Sequence, residues 1–172
     1  SKYARNKIYT AAMNQAAAIP PGGTPEYQYF QLGGAIPEDY WVSAVNMIST
    51  NPAQLHHASL MIVPNSLDYY KARTKGGDEQ FADTHDGDIS PFVFRSIQKT
   101  QSNFPDPNYI RYQVWGAGRR QPSVLRNKFA LFLPRGYHLV LEVHYMGTGK
   151  PEFEQTTLEF FGSRFKEGRT QM

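Results

Sequence analysis

The sequence predicts an all-β fold, an antiparallel β-sandwich or jelly roll. Aromatic residues make up 14% of the 172-residue chain, beside 12 prolines and 14 glycines, a composition typical of short strands joined by turns. Seven or eight short apolar segments are closed by turn signals such as Gly33-Gly34, Pro64-Asn65 and Gly116-Ala-Gly118. No long segment repeats its apolar residues at helical spacing. A chain of this length fits one domain and buries roughly 70% of its unfolded surface, so the core needs no covalent staples. Cysteine is absent, which excludes disulfides and thiolate metal sites.

Residues 1–26 differ from the rest and read as an N-terminal extension that is mobile or lies on a partner. Ala11-Ala-Met-Asn-Gln-Ala-Ala-Ala18 suits two helical turns, which Pro20-Pro-Gly-Gly23 would stop. From Tyr27 the chain is β in character, and residues 27–165 form the predicted domain. Tyr27–Leu32 alternates and is aromatic; Tyr40–Ile48 is a second strand, ended by Ser49-Thr-Asn-Pro52. Leu55–Val63 is a third and carries a histidine pair near its start. Residues 64–108 are polar and loop-rich, with one apolar piece at Phe92-Val-Phe94. Strands resume at Tyr109–Trp115, Phe129–Leu133, His138–Tyr145 and Thr156–Phe161, and residues 166–172 are a C-terminal tail.

The net charge of +3 is mild, and pairs such as Arg119-Arg120 are short, so a nucleic-acid partner is not expected. No run of about 20 apolar residues exists, so no transmembrane helix is predicted in this chain; membrane association would come through a partner or an anchor outside the sequence. The first residue is Ser1, as expected of a processed or trimmed form.

His56, His57 and His144 fall in hydrophobic strand-like segments. Neutral imidazole is a good ligand for copper, zinc and iron, and three imidazoles make a plausible site. Strand parity puts His138, Val140, Glu142 and His144 on one face, with Leu139, Leu141, Val143 and Tyr145 on the other as the core side. Adjacent His56 and His57 would point to opposite faces of a regular strand. They reach one metal only if the backbone is irregular there, and Asn51-Pro52 upstream makes that reasonable. Asp83, His85, Asp86 and Asp88 form an acidic loop that lacks the glycine and glutamate register of an EF-hand. Nucleophile elbows and phosphate loops are missing, and Glu142 and Glu159 do not form a recognisable acid–base pair.

The stretch from Tyr27 to Pro64, with Ala35-Ile-Pro-Glu-Asp-Tyr-Trp41 and Leu55-His-His-Ala-Ser-Leu-Met61, resembles the N-terminal domain of copper type II, ascorbate-dependent monooxygenases. Peptidylglycine α-hydroxylating monooxygenase and dopamine β-hydroxylase belong to that family. Val114-Trp-Gly-Ala-Gly118 through Leu133-Pro-Arg-Gly136 to Leu139-Val-Leu-Glu-Val-His-Tyr145 resembles the later half of the same domain. The resemblance covers about two-thirds of the chain. It implies an eight-stranded jelly roll with one electron-transfer copper on His56, His57 and His144. It assigns no role to His85 or His138, and no thioether (Met61, Met146 or Met172) stands in the family's methionine context. The family's second domain, which carries the oxygen-activating copper, has no room after Tyr145, and the family's disulfides are absent. The expectation is therefore a copper-binding subunit of a larger extracytoplasmic assembly, periplasmic or secreted, that is no enzyme by itself. Zinc is the other metal three histidines accept. The alternatives are a structural or interaction subunit that kept the fold without a functional metal site, and half of a two-copper monooxygenase whose oxygen-activating domain lies on another chain or outside the given sequence.

Overall fold

A computed structural model of the chain describes residues 6–24, 27–69 and 130–164, with the strand backbones 110–116 and 123–124. Eleven strands are described: β1 (Lys7–Ala12), β2 (Ala17–Ile19), β3 (Gln28–Leu32), β4 (Tyr40–Ser49), β5 (Leu55–Val63), β6 (Ile110–Gly116), β7 (Ser123–Val124), β8 (Leu131–Leu133), β9 (His138–Tyr145), β10 (Glu152–Glu154) and β11 (Thr156–Arg164). One sheet runs β1-β11-β4-β7, with β8 also on β4; the other runs β3-β9-β5-β6; β2 and β10 form a two-stranded ribbon. Every pairing among the described strands is antiparallel. This is the predicted antiparallel sandwich, with more strands than the eight that the resemblance implies.

Both sheets contribute to a single core. Val42, Val45, Leu158 and Phe160 come from the β11-β4 side, and Leu60, Ile62, Leu139 and Leu141 from the β9-β5 side. On β9 the parity reading holds, because Leu139, Leu141, Val143 and Tyr145 all lie in this core. The other face of the β9-β5 sheet is buried too, through Met61, Val63 and Val140.

Of the extension expected over residues 1–26, the described residues 6–24 carry two strands that join the sheets. β1 lies on β11 as an edge strand, and β2 pairs with β10. Helical turns over residues 11–18 do not form, because the stretch pairs with β11 and β10 and buries alternate residues. Ala11 and Met13, then Ala17 and Ile19, enter the core in a period of two. Tyr9 stacks on Tyr40 and Phe160 at 5.3 and 5.8 Å between ring centroids. The C-terminal tail, most of the 64–108 loop with its acidic cluster and His85, and Arg119-Arg120 lie outside the described residues.

A buried carboxyl group ties the two sheets together. Glu154 is fully buried and accepts hydrogen bonds from Ser49 Oγ at 2.6 Å, Thr156 Oγ1 at 2.7 Å and Tyr145 Oη at 2.7 Å. Those donors come from β4, β11 and β9. Burial, and then the charge of Glu154, push the Tyr145 phenol well above the usual tyrosine range, so it stays a donor. Removing the acceptor would strand three hydroxyls, each costing roughly 1–3 kcal/mol if left unpaired. Glu154→Leu is expected to lower the unfolding free energy by about 2–4 kcal/mol in urea titration, and Tyr145→Phe by about 1–2 kcal/mol. Unchanged midpoints for both variants would refute the clamp.

Candidate metal centre

The pairing of β5 with β9 brings three histidines together. Leu55 faces Tyr145 and His57 faces His144, so His56 is an extra residue in β5 and forms a β-bulge. A bulge sets two residues of one strand against one of its neighbour and re-aims their side chains. It resolves the objection that adjacent strand residues diverge. The single-turn 3-10 helix Pro52–Gln54 ends immediately before β5, and the irregular backbone begins there.

One ring nitrogen from each of His56, His57 and His144 lies within 4.8 Å of the others. His56 Nδ1 and His144 Nδ1 are 3.2 Å apart. With metal–nitrogen bonds of about 2.0–2.1 Å, two ligands at that separation subtend roughly 100–105°, close to tetrahedral. His56 is exposed, and His57 and His144 are partly buried, so the cluster opens to solvent on one side. The three side chains can hold a metal ion, and their donor set is neutral and wholly nitrogen.

Hydrogen bonds orient the rings. His144 Nε2 is 3.0 Å from the Thr24 carbonyl oxygen. A carbonyl only accepts, so that nitrogen carries the proton and the lone pair of neutral His144 sits on Nδ1, towards His56. Such a partner on the far nitrogen is the usual way of fixing a ligand's tautomer. The Tyr27 hydroxyl lies 2.6 Å from His57 Nε2, and its ring centroid is 5.4 and 5.7 Å from those of His57 and His144. Tyr27 therefore walls the cluster. Thr24 is anchored twice more, its N–H donating to the Tyr145 carbonyl at 3.2 Å and its Oγ1 accepting from the Tyr145 N–H at 3.1 Å.

Glycines make this contact possible. A Cβ on Gly147 would collide with the backbone of Pro21 and Gly22, and Gly23, at φ 79°, lies against Tyr145 and Gly147 just as tightly. The Pro20-Pro-Gly-Gly23 signal thus marks a strap across the end of β9. Gly147→Ala should push the strap off and release His144 Nε2. Overpacking of this kind costs roughly 1–3 kcal/mol. A Gly147→Ala protein with wild-type stability in thermal unfolding would show that the strap is not tightly seated.

The remaining sequence candidates lie elsewhere. Glu142 is buried on the histidine face and accepts from Tyr29 Oη at 2.9 Å. Glu159 sits in the other sheet, bonded by Lys7 Nζ at 2.8 Å and Asn46 Nδ2 at 3.0 Å, and those bonds hold its carboxyl below the usual range. The two carboxylates do not pair. Met61 is core filler, fully buried. His138 shares the face of His144 but stands six residues away, about 20 Å along the strand, and joins no metal-ligating cluster among the described residues. Sequence reasoning missed Thr24 and Tyr27 as site residues. Tyr27 had an aromatic signal, whereas a backbone carbonyl has none.

Burial lowers the His138 pKa from its ordinary value of 6.5. The folded state then resists a proton that the unfolded chain accepts. The stability contributed by neutral His138 is complete above pH 6.5 and is lost as the pH falls below it. Metal-free His138→Leu should lose less thermal stability than wild type between about pH 7 and 5, a window that spans the ordinary histidine pKa. Parallel melting curves in that window would contradict this. Comparison of the chain with protein-family models, curated proteins and solved structures finds no match.

Proposed function

We propose that this chain is a copper-binding protein that holds one copper ion on His56, His57 and His144. Its task is electron transfer or metal keeping as a subunit of a larger extracytoplasmic assembly. The observation that carries the reading is the bulge at His56, which turns an adjacent pair towards a third histidine on the neighbouring strand. Without it, parity would send one of the pair into the core.

Copper on three imidazoles can cycle between its two oxidation states, neither of them starved of ligands. The chain's own residues prepare that site in advance. The Thr24 carbonyl keeps the His144 Nδ1 lone pair aimed inward, Tyr27 braces His57, and the exposed ring of His56 leaves the centre approachable. The choice of copper also draws on the order His-His followed by Val-His-Tyr, which resembles the monooxygenase domain. The extracytoplasmic assembly is inferred from that resemblance.

Metal content measured on the purified chain tests the proposal. About one copper per chain is expected after anaerobic Cu(I) loading and desalting, and none in a His56/His57/His144→Ala variant. At free copper 100 times the Kd, binding adds about 2.7 kcal/mol, a rise of roughly 5–10 °C in Tm for a chain of this size. Copper retained equally by the variant, or no copper retained by wild type, would overturn the assignment. Zinc bound with no uptake of copper would remove the redox role.

A further inference from the structure

Met146, one residue beyond the strand that carries His144, is 47% exposed. Its exposure does not come from a loose backbone. The Met146 N–H donates to the Gln54 carbonyl at 2.7 Å, and the residue forms an antiparallel bridge with Gly23. The next residue, Gly147, is pressed against the strap with no room for a Cβ. Met146 is therefore a firmly held position that presents its side chain outward.

Its direction follows from alternation. Tyr145 is buried in the core, so Met146 faces the side of His144, two residues earlier. Gln54, to which its N–H is bonded, stands two residues before His56. Met146 thus lies at the rim of the cluster, between the strand carrying His144 and the turn leading to His56. Two strand steps span about 6.6 Å, and the unbranched, flexible methionine side chain can carry its sulfur over part of that distance, towards the His144 ring.

We propose that the Met146 thioether is a fourth ligand, which makes the His56/His57/His144 site selective for Cu(I) over Zn(II). Three imidazoles accept both ions, so discrimination needs a softer donor. A thioether is neutral and soft, adds affinity for Cu(I), and offers little to zinc. The inference rests on the three histidines holding a metal.

The test compares wild type with Met146→Leu, an exposed, volume-conserving change that should leave folding intact. Cu(I) affinity is measured anaerobically against a chromogenic chelator, Zn(II) affinity by a parallel competition, and the copper environment by X-ray absorption. The wild-type Cu(I) form should show a sulfur scatterer beside nitrogen, lost in Met146→Leu. Cu(I) affinity should fall roughly tenfold or more in the variant, the scale at which supporting groups act on metal sites, while Zn(II) affinity stays within about twofold. Wild type that binds both ions through nitrogen alone, or a variant with undiminished Cu(I) affinity, overturns the Met146 proposal and leaves the histidine site standing. Wild type that takes up neither ion overturns both.

Discussion

The two-residue period of β9 is the constraint on which the other features hang. His144 and Tyr145 are neighbours in sequence and point to opposite faces. One reaches the histidine cluster, and the other reaches through the core to Glu154. Thr24 holds both at once, taking the His144 ring proton on its carbonyl and the Tyr145 amide proton on its hydroxyl. A slip of β9 by one residue would exchange the two side chains, burying an imidazole and exposing the phenol. The site and the core therefore share one register.

That register is defended by a polar device inside an apolar core. Burying a carboxyl group is costly, and Glu154 offsets the cost only because three hydroxyls converge on it. The donors belong to strands of both sheets, so the network is satisfied in one mutual placement of β4, β9, β10 and β11. Apolar packing alone tolerates small slides. A convergent set of hydroxyls on one carboxyl group does not.

Much of this was legible in the sequence, and what was not has physical causes. Leu55–Val63 and His138–Tyr145 have the predicted limits because both are long, apolar and closed by turn residues. The three histidines could be grouped by residue type, and parity placed His144 correctly. The bulge was foreshadowed only by Asn51-Pro52, since an extra residue becomes visible only against the partner strand. β2 was missed because its alanines carry little strand preference, and β1, although Ile8, Tyr9 and Thr10 favour strands, because an edge strand gains its stability from the partner it lies on. The Thr24 contact involves a main-chain oxygen 120 residues from the ring it orients, and main-chain atoms are the same for every residue type.

The extra residue in β5 has a consequence for how such a protein could change over time. Loss of His56 alone would restore one-to-one pairing between β5 and β9, leaving His57 opposite His144 and the core residues of both strands in place. The sheet would become more regular as the cluster lost a member. A single in-frame codon deletion would therefore remove one of the three candidate ligands, with no intermediate that must survive a damaged core. Insertions and deletions within Ala58–Val63 have no such benign outcome, because they invert the faces of the residues beyond them in a segment buried on both sides.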